Sequence, residues 1–117
     1  MTDGGGKPPN VDARLAGATL TIDLSALQAN YRTIAETLGP GTVAGAVVKA
    51  DAYGHGLKRC LPALVDVDML AVATMDEARA IRALEPRVPV LLLEGVMAPA
   101  ELEAVARLGL EMVVHHP

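Results

Sequence analysis

Gly45-Ala46-Val47-Val48-Lys49-Ala50-Asp51-Ala52-Tyr53-Gly54-His55-Gly56 opens as a short apolar run, sets a lysine where the run ends, and breaks into a glycine-bounded loop. A short apolar run closed by turn signals reads as a buried strand. The lysine stem would then lie among apolar walls, with the amine at their mouth. Burial there disfavours the ammonium and favours the neutral amine, the form that attacks a carbonyl to make a Schiff base. On these residues a plainer role stays equally open, in which Lys49 snorkels from a strand end and Tyr53 covers a packing edge. The other two lysines have poorer settings: Lys7 lies in a polar stretch and Lys58 stands beside Arg59.

Downstream of that stretch, strands and helices alternate. The first predicted strand runs from about Val43 to Lys49. A helix from near Gly56 follows, with Leu57, Cys60, Leu61 and Leu64 inward. Pro62 falls inside that pattern and predicts a late start or an irregular turn. The second strand is Met69 to Ala73. Thr74 and Glu77 have the spacing of a capping box for a helix to about Leu84, with Ala78 and Ile81 buried and Glu85-Pro86 as its stop. The third strand is Val90 to Leu93. Pro99 suits the first position of a helix that carries Leu102, Val105 and Leu108 inward and closes at Gly109. The fourth strand is Leu110 to about His115.

Upstream, Thr19 to Asp23 alternates polar and apolar residues, the pattern of a half-buried strand. Asp23 or Ser25 can cap a helix to about Leu38, whose stripe is Leu24, Leu27, Tyr31, Ile34 and Leu38. Gly39-Pro40 ends it. Residues 1–17, rich in glycine, proline and polar residues, are expected to form a disordered tail. Residues 18–117 are then one domain.

Strands buried on both faces and alternating with amphipathic helices indicate a parallel sheet. The predicted strand ends fall near Lys49, Thr74, Glu94 and His115, a spacing that fits a (β/α)8 barrel of the TIM type. In such barrels, functional groups gather at the carboxyl ends of the strands, where Lys49 lies. About four parallel strands are present, whereas closure takes eight and usually about 250 residues. The expectation is the amino-terminal part of the barrel of a longer enzyme, inactive by itself.

Composition narrows the function classes. The chain has 117 residues, 51% of them hydrophobic, with no Phe or Trp and only two tyrosines, so its core must be aliphatic. A formal net charge of -4 without a basic stripe argues against nucleic acid as the main partner. One cysteine, Cys60, permits no internal disulfide and no cysteine-based zinc site. No apolar run reaches the roughly 18 residues that span a bilayer, and no secretory signal opens the chain, so a cytoplasmic location is expected. Gly54-His55-Gly56 before a helix lacks the third glycine of a dinucleotide loop, since position 59 is arginine. His55 reads as a loop or packing residue. His115 and His116, adjacent on a strand, point to opposite faces and cannot share one metal. Asp66, Asp68, Asp76 and Glu77 read as solvated turn and cap charges.

The string Ala46-Val-Val-Lys-Ala-Asp-Ala-Tyr-Gly-His-Gly56 resembles the cofactor-lysine motif of the alanine racemases, with Asp51 where many members carry asparagine. Thr21-Ile-Asp-Leu-Ser-Ala-Leu-Gln-Ala-Asn-Tyr31, Ala71-Val-Ala-Thr-Met-Asp-Glu-Ala78 and Pro89-Val-Leu-Leu-Leu-Glu-Gly95 extend the likeness over about residues 18 to 116. The resemblance implies a PLP-dependent isomerase (PLP, pyridoxal 5'-phosphate) that interconverts L-alanine and D-alanine and supplies D-alanine for peptidoglycan, the bacterial cell wall. It implies that Lys49 forms the internal aldimine and acts as one of two bases, and that Tyr53 binds the cofactor phosphate. It also implies a homodimer of subunits with an amino-terminal barrel and a carboxyl-terminal β domain, which the leading strand joins. The second base and the arginine facing the pyridine nitrogen have no counterpart among these residues. Two other PLP proteins would share a strand-end lysine: a barrel decarboxylase of basic amino acids, and a small non-catalytic carrier of the cofactor. The decarboxylase would lack the Tyr53-Gly-His-Gly56 continuation.

Overall fold

The computed structural model describes residues 17–117. The expected tail at residues 1–17 lies outside them but for Gly17. Four strands form one parallel sheet in the order β1-β2-β3-β4: Gly45–Val47, Met69–Val72, Val90–Leu92 and Glu111–Met112. Four helices accompany them: α1 (Leu24–Glu36), α2 (Leu57–Cys60), α3 (Met75–Leu84) and α4 (Glu101–Arg107).

Register explains which side chains form the core. Ala46, Leu70 and Val90 stand in one row, and Val72, Leu92 and Met112 in another. Leu70, Val72, Val90 and Leu92 are fully buried, packed with Leu57, Leu61, Leu64, Ala78, Ile81 and Ala104 from the helical layer. Successive residues of a strand face opposite ways, so Val47, Ala71, Leu91 and Glu111 form the row on the other face. Val47 and Glu111, at the two ends of that row, are exposed.

The capping box forms as the sequence implies. The Thr74 hydroxyl accepts from Glu77 N, and the Glu77 carboxylate accepts from Thr74 N. Pro62 also has the expected effect: α2 stops after one turn and Leu61–Leu64 continue as a 3-10 turn, which needs no i→i−4 donor at the proline. Asp23 caps α1 by accepting from Ala26 N at 3.0 Å.

Several expectations are corrected. Thr19 to Asp23 is not a strand; no other segment pairs with it among the described residues, and a strand exists only through its ladder. Helix α1 ends at Glu36, and only the first part of its stripe packs: Leu24, Leu27 and Tyr31 reach the core, while Ile34 is 63% exposed. Pro99 stands two residues before the first residue of α4, in a turn where Leu102 N donates to Pro99 O at 3.1 Å. That helix buries the small Ala104, and Leu102 is exposed. Strands β1 and β4 are shorter than expected, as edge strands with a neighbour on one side only.

Three polar side chains tie these layers. The Tyr31 hydroxyl donates to Ala44 O (2.8 Å) and accepts from Asp68 N (3.0 Å), while Asp68 Oδ2 accepts from Ala44 N (2.9 Å). Arg82, at the end of α3, donates through Nε to Leu108 O (2.7 Å), through Nη1 to Val88 O (2.6 Å) and through Nη2 to Gly109 O (3.3 Å). A planar guanidinium thus joins the segment before β3 to the end of α4 through a fixed fork of donors, which an ammonium lacks. Arg82→Lys is therefore expected to cost about 1–3 kcal/mol, read as a lower urea midpoint. An unchanged midpoint would show that water replaces the guanidinium without loss.

Candidate active site at the carboxyl edge of the sheet

In a parallel sheet, all carboxyl ends share one edge. Lys49 lies on that edge, immediately after Val48, whose N–H donates to Ala71 O of β2 at 2.9 Å. Its side chain is half-buried. From there the backbone enters a left-handed turn: φ is 52° at Ala50, 56° at Asp51, 55° at Ala52 and 55° at Tyr53. Each L-residue in that region costs roughly 1–2 kcal/mol, and such residues ordinarily occur singly. Four in succession therefore need support from their surroundings.

That support is dense. Ala52 N donates to Val48 O (2.9 Å), Gly54 N to Ala50 O (3.1 Å) and Gly56 N to Asp51 O (2.9 Å). Asp51 Oδ1 accepts from Leu57 N at 2.8 Å, fastening the turn to the start of α2. An asparagine oxygen could make the same bond, so aspartate here leaves the local geometry unchanged. His55 has a packing role: its Nδ1 lies 2.9 Å from Ala52 O, and its own carbonyl accepts from Arg59 Nη1 at 3.0 Å. From α3, Glu77 Oε2 accepts from Ala50 N at 2.6 Å. Burial pushes the Glu77 carboxyl up, but the N–H groups of Ala50, Thr74 and Ala73 outweigh it and leave the pKa below the usual glutamate value. Glu77 is thus more than the solvated cap charge read from the sequence.

Lys49 immediately precedes the left-handed run, and Tyr53 is its last residue. Tyr53 is 59% exposed. Among the described residues, neither the Lys49 amine nor the Tyr53 hydroxyl takes part in a hydrogen bond or ion pair. Tyr31, by contrast, has its hydroxyl committed to the backbone. A cavity of about 330 Å³ between α1 and β1 has Tyr53 among its walls but not Lys49. Its other walls include Leu27, Ile34, Val47 and Leu64, and it follows the free edge of β1, so it is an apolar gap beside the site. Cys60 is buried there; burial pushes its thiol up, Arg59 opposes this and Asp51 adds to it, leaving the thiol protonated and unreactive.

Residues 22–117 match the family described as "Alanine racemase, N-terminal domain". The chain belongs to the alanine racemase family. It is 49% identical over 100 residues to the alanine racemase of Aromatoleum aromaticum, a match covering 85% of this chain and 28% of that protein. It is 48% identical over 99 residues to the catabolic alanine racemase of Pseudomonas putida, covering 84% and 27%. The structure of alanine racemase from Acinetobacter baumannii matches with a TM-score of 0.76 and 38% identity over 82% of this chain and 27% of that one. Alanine racemase from Bartonella henselae, solved with covalently bound pyridoxal phosphate, matches with a TM-score of 0.68 and 37% identity over 78% and 27%. The chain spans little more than a quarter of these relatives. Its four parallel strands are part of the TIM-type barrel of the family's amino-terminal domain.

The residues at the carboxyl edge fit the pyridoxal group on chemical grounds. A free amine can bond its aldehyde carbon, and a free phenol four residues on, at the end of the same turn, can donate to an anionic phosphate. Sequence reading singled out both residues as candidates. It missed the left-handed turn, because Ala50 and Ala52 give no signal of positive φ, and it missed the contact of Glu77 with Ala50. Thr74-x-x-Glu77 was a legible signal for the cap and gave none for that second contact. Among the described residues, no group of His, Cys, Asp and Glu could hold a metal ion, and no helix is long and apolar enough to cross a membrane.

Proposed function

We propose that this chain is the leading part of the barrel of an alanine racemase, with Lys49 as the cofactor lysine and Tyr53 as a phosphate donor. One observation carries the reading: the unpartnered amine of Lys49 sits at the carboxyl end of β1, and the left-handed turn that follows it ends on an unpartnered phenol, Tyr53. The coincidence of this edge with the racemase motif supports it. When bound, pyridoxal phosphate supplies an electron sink that makes the Cα–H of an amino acid acidic. Lys49 then has two tasks at one atom: Nζ holds the cofactor, and when released it can remove or return the α-proton on one face. Inversion needs a second base on the other face, outside the residues described. In this reading the enzyme works in the cytoplasm as a homodimer and supplies D-alanine for peptidoglycan.

Tyr53→Phe tests the phosphate assignment apart from the lysine. A hydrogen bond to a charged group is worth about 1.5–3 kcal/mol, so the variant should bind pyridoxal phosphate roughly ten- to a hundredfold more weakly. Its capacity to couple the cofactor at saturation should remain. Titration of the apoenzyme, followed by the visible absorbance of the lysine-bound cofactor, measures this. An unchanged affinity would remove Tyr53 from the phosphate site.

A further inference from the structure

We propose that Glu77 is a positioning residue for Lys49 and acts through the backbone of Ala50. The inference rests on the reading of Lys49 as the cofactor lysine. A capping box needs one carboxylate contact, to the N-cap N–H. Glu77 makes far more. Its Oε1 accepts from Ala73 N (3.0 Å), Thr74 N (2.9 Å) and Thr74 Oγ1 (3.2 Å), which fixes it to the carboxyl end of β2. That leaves Oε2 aimed across the edge at Ala50 N, 27 residues away in sequence, at 2.6 Å.

Ala50 N is half of the peptide bond to Lys49. The six atoms of that planar unit include the Lys49 Cα, carbonyl carbon and oxygen, so holding the N–H in place fixes the ψ rotation of Lys49. It also holds the first of the four positive-φ residues, at the point where the chain turns left-handed. Asp51 secures the far side of the turn on Leu57, and Glu77 secures the near side on β2 and α3. The carboxylate is suited to this because both oxygens act only as acceptors, for four donors in all. Glutamine could not replace it: its one oxygen can serve β2 or Ala50, and its NH2 would face an N–H at the other position.

The test uses a holoenzyme of the relatives' full length that carries this segment, in three variants. Glu77→Gln removes the clamp and half of the cap. Thr74→Ala weakens the same helix start and drops the hydroxyl donor at Oε1, but keeps Ala73 N and Thr74 N on Oε1 and Ala50 N on Oε2. Lys49→Ala controls for the cofactor assignment. Readouts are the melting temperature, the rate at which apoenzyme and pyridoxal phosphate develop the lysine-bound absorbance, and kcat and KM for alanine. Glu77→Gln should slow cofactor coupling and lower kcat by about ten- to a hundredfold, as loss of one charge-assisted hydrogen bond implies, with KM little changed. Thr74→Ala should lower the melting temperature comparably yet leave both rates within about twofold, less than the loss of any one hydrogen bond to a charged group. Should Glu77→Gln not fold, Glu77→Asp, which keeps the charge and shortens the reach, serves the same comparison. Equal coupling rates in the Glu77 and Thr74 variants would overturn the positioning role while the cofactor assignment stands. Coupling that survives Lys49→Ala would overturn both.

Discussion

Lys49→Ala is expected to abolish the lysine-bound cofactor and racemisation together, in a chain of the relatives' full length, while the fold survives. Loss of both follows because one nitrogen has both tasks: tethering the cofactor and exchanging the α-proton. The fold should survive because the Lys49 side chain is only half-buried and holds no hydrogen bond or ion pair among the described residues. Substitutions away from such features usually stay within about 0.5 kcal/mol. The left-handed turn is held by backbone donors, Asp51 and Glu77, all of which remain in the variant. Borohydride reduction of the native enzyme, followed by peptide mapping, should place the pyridoxyl label on Lys49. Lys58 is the alternative within this region, exposed in the single turn of α2 and not at a strand end. A label there, or an absorbance that survives in Lys49→Ala, would refute the assignment.

The sequence made much of this legible because its signals are local. Thr74 and Glu77 set the start of α3, Pro62 broke the helix after Cys60, and the apolar runs at Met69 and Val90 marked two strands of the parallel sheet. Misreadings arose where tertiary partners decide. The alternation of Thr19 to Asp23 has strand period, but no ladder forms there among the described residues. The stripe of α1 has helix period along its whole length, yet Ile34 overhangs the cavity beside the free edge of β1. The left-handed turn was invisible for a deeper reason. Ala50 and Ala52 prefer right-handed helix, so only contacts from Asp51, Glu77 and the neighbouring carbonyls account for the hand. Lys49 and Tyr53 stood out in the sequence as candidate chemistry, and the strained backbone that carries them was legible only as structure.

Gly95→Ala is the substitution expected to cost the fold most, through the same edge from the other side. Gly95 follows β3 with φ at 69°, in a turn closed by its N–H on Leu92 O. A methyl group there would stand 2.7 Å from Val113 O, inside van der Waals contact. Val113 cannot easily retreat, because its N–H donates to Leu92 O at 3.0 Å and so holds the end of β4 against β3. Two costs add: about 1–2 kcal/mol for an alanine in the left-handed region and about 1–3 kcal/mol for overpacking. The sum, about 2–5 kcal/mol, is a large share of the stability of a domain this size. Gly109→Ala separates the two terms. Its φ is 60°, but a Cβ there meets nothing within 4 Å, so only the conformational cost applies. Urea unfolding of both variants should therefore show Gly95→Ala the more destabilised by the overpacking term. Equal midpoints would mean that β4 yields freely at Val113, and that the carboxyl edge opposite Lys49 is softer than its hydrogen bonds imply.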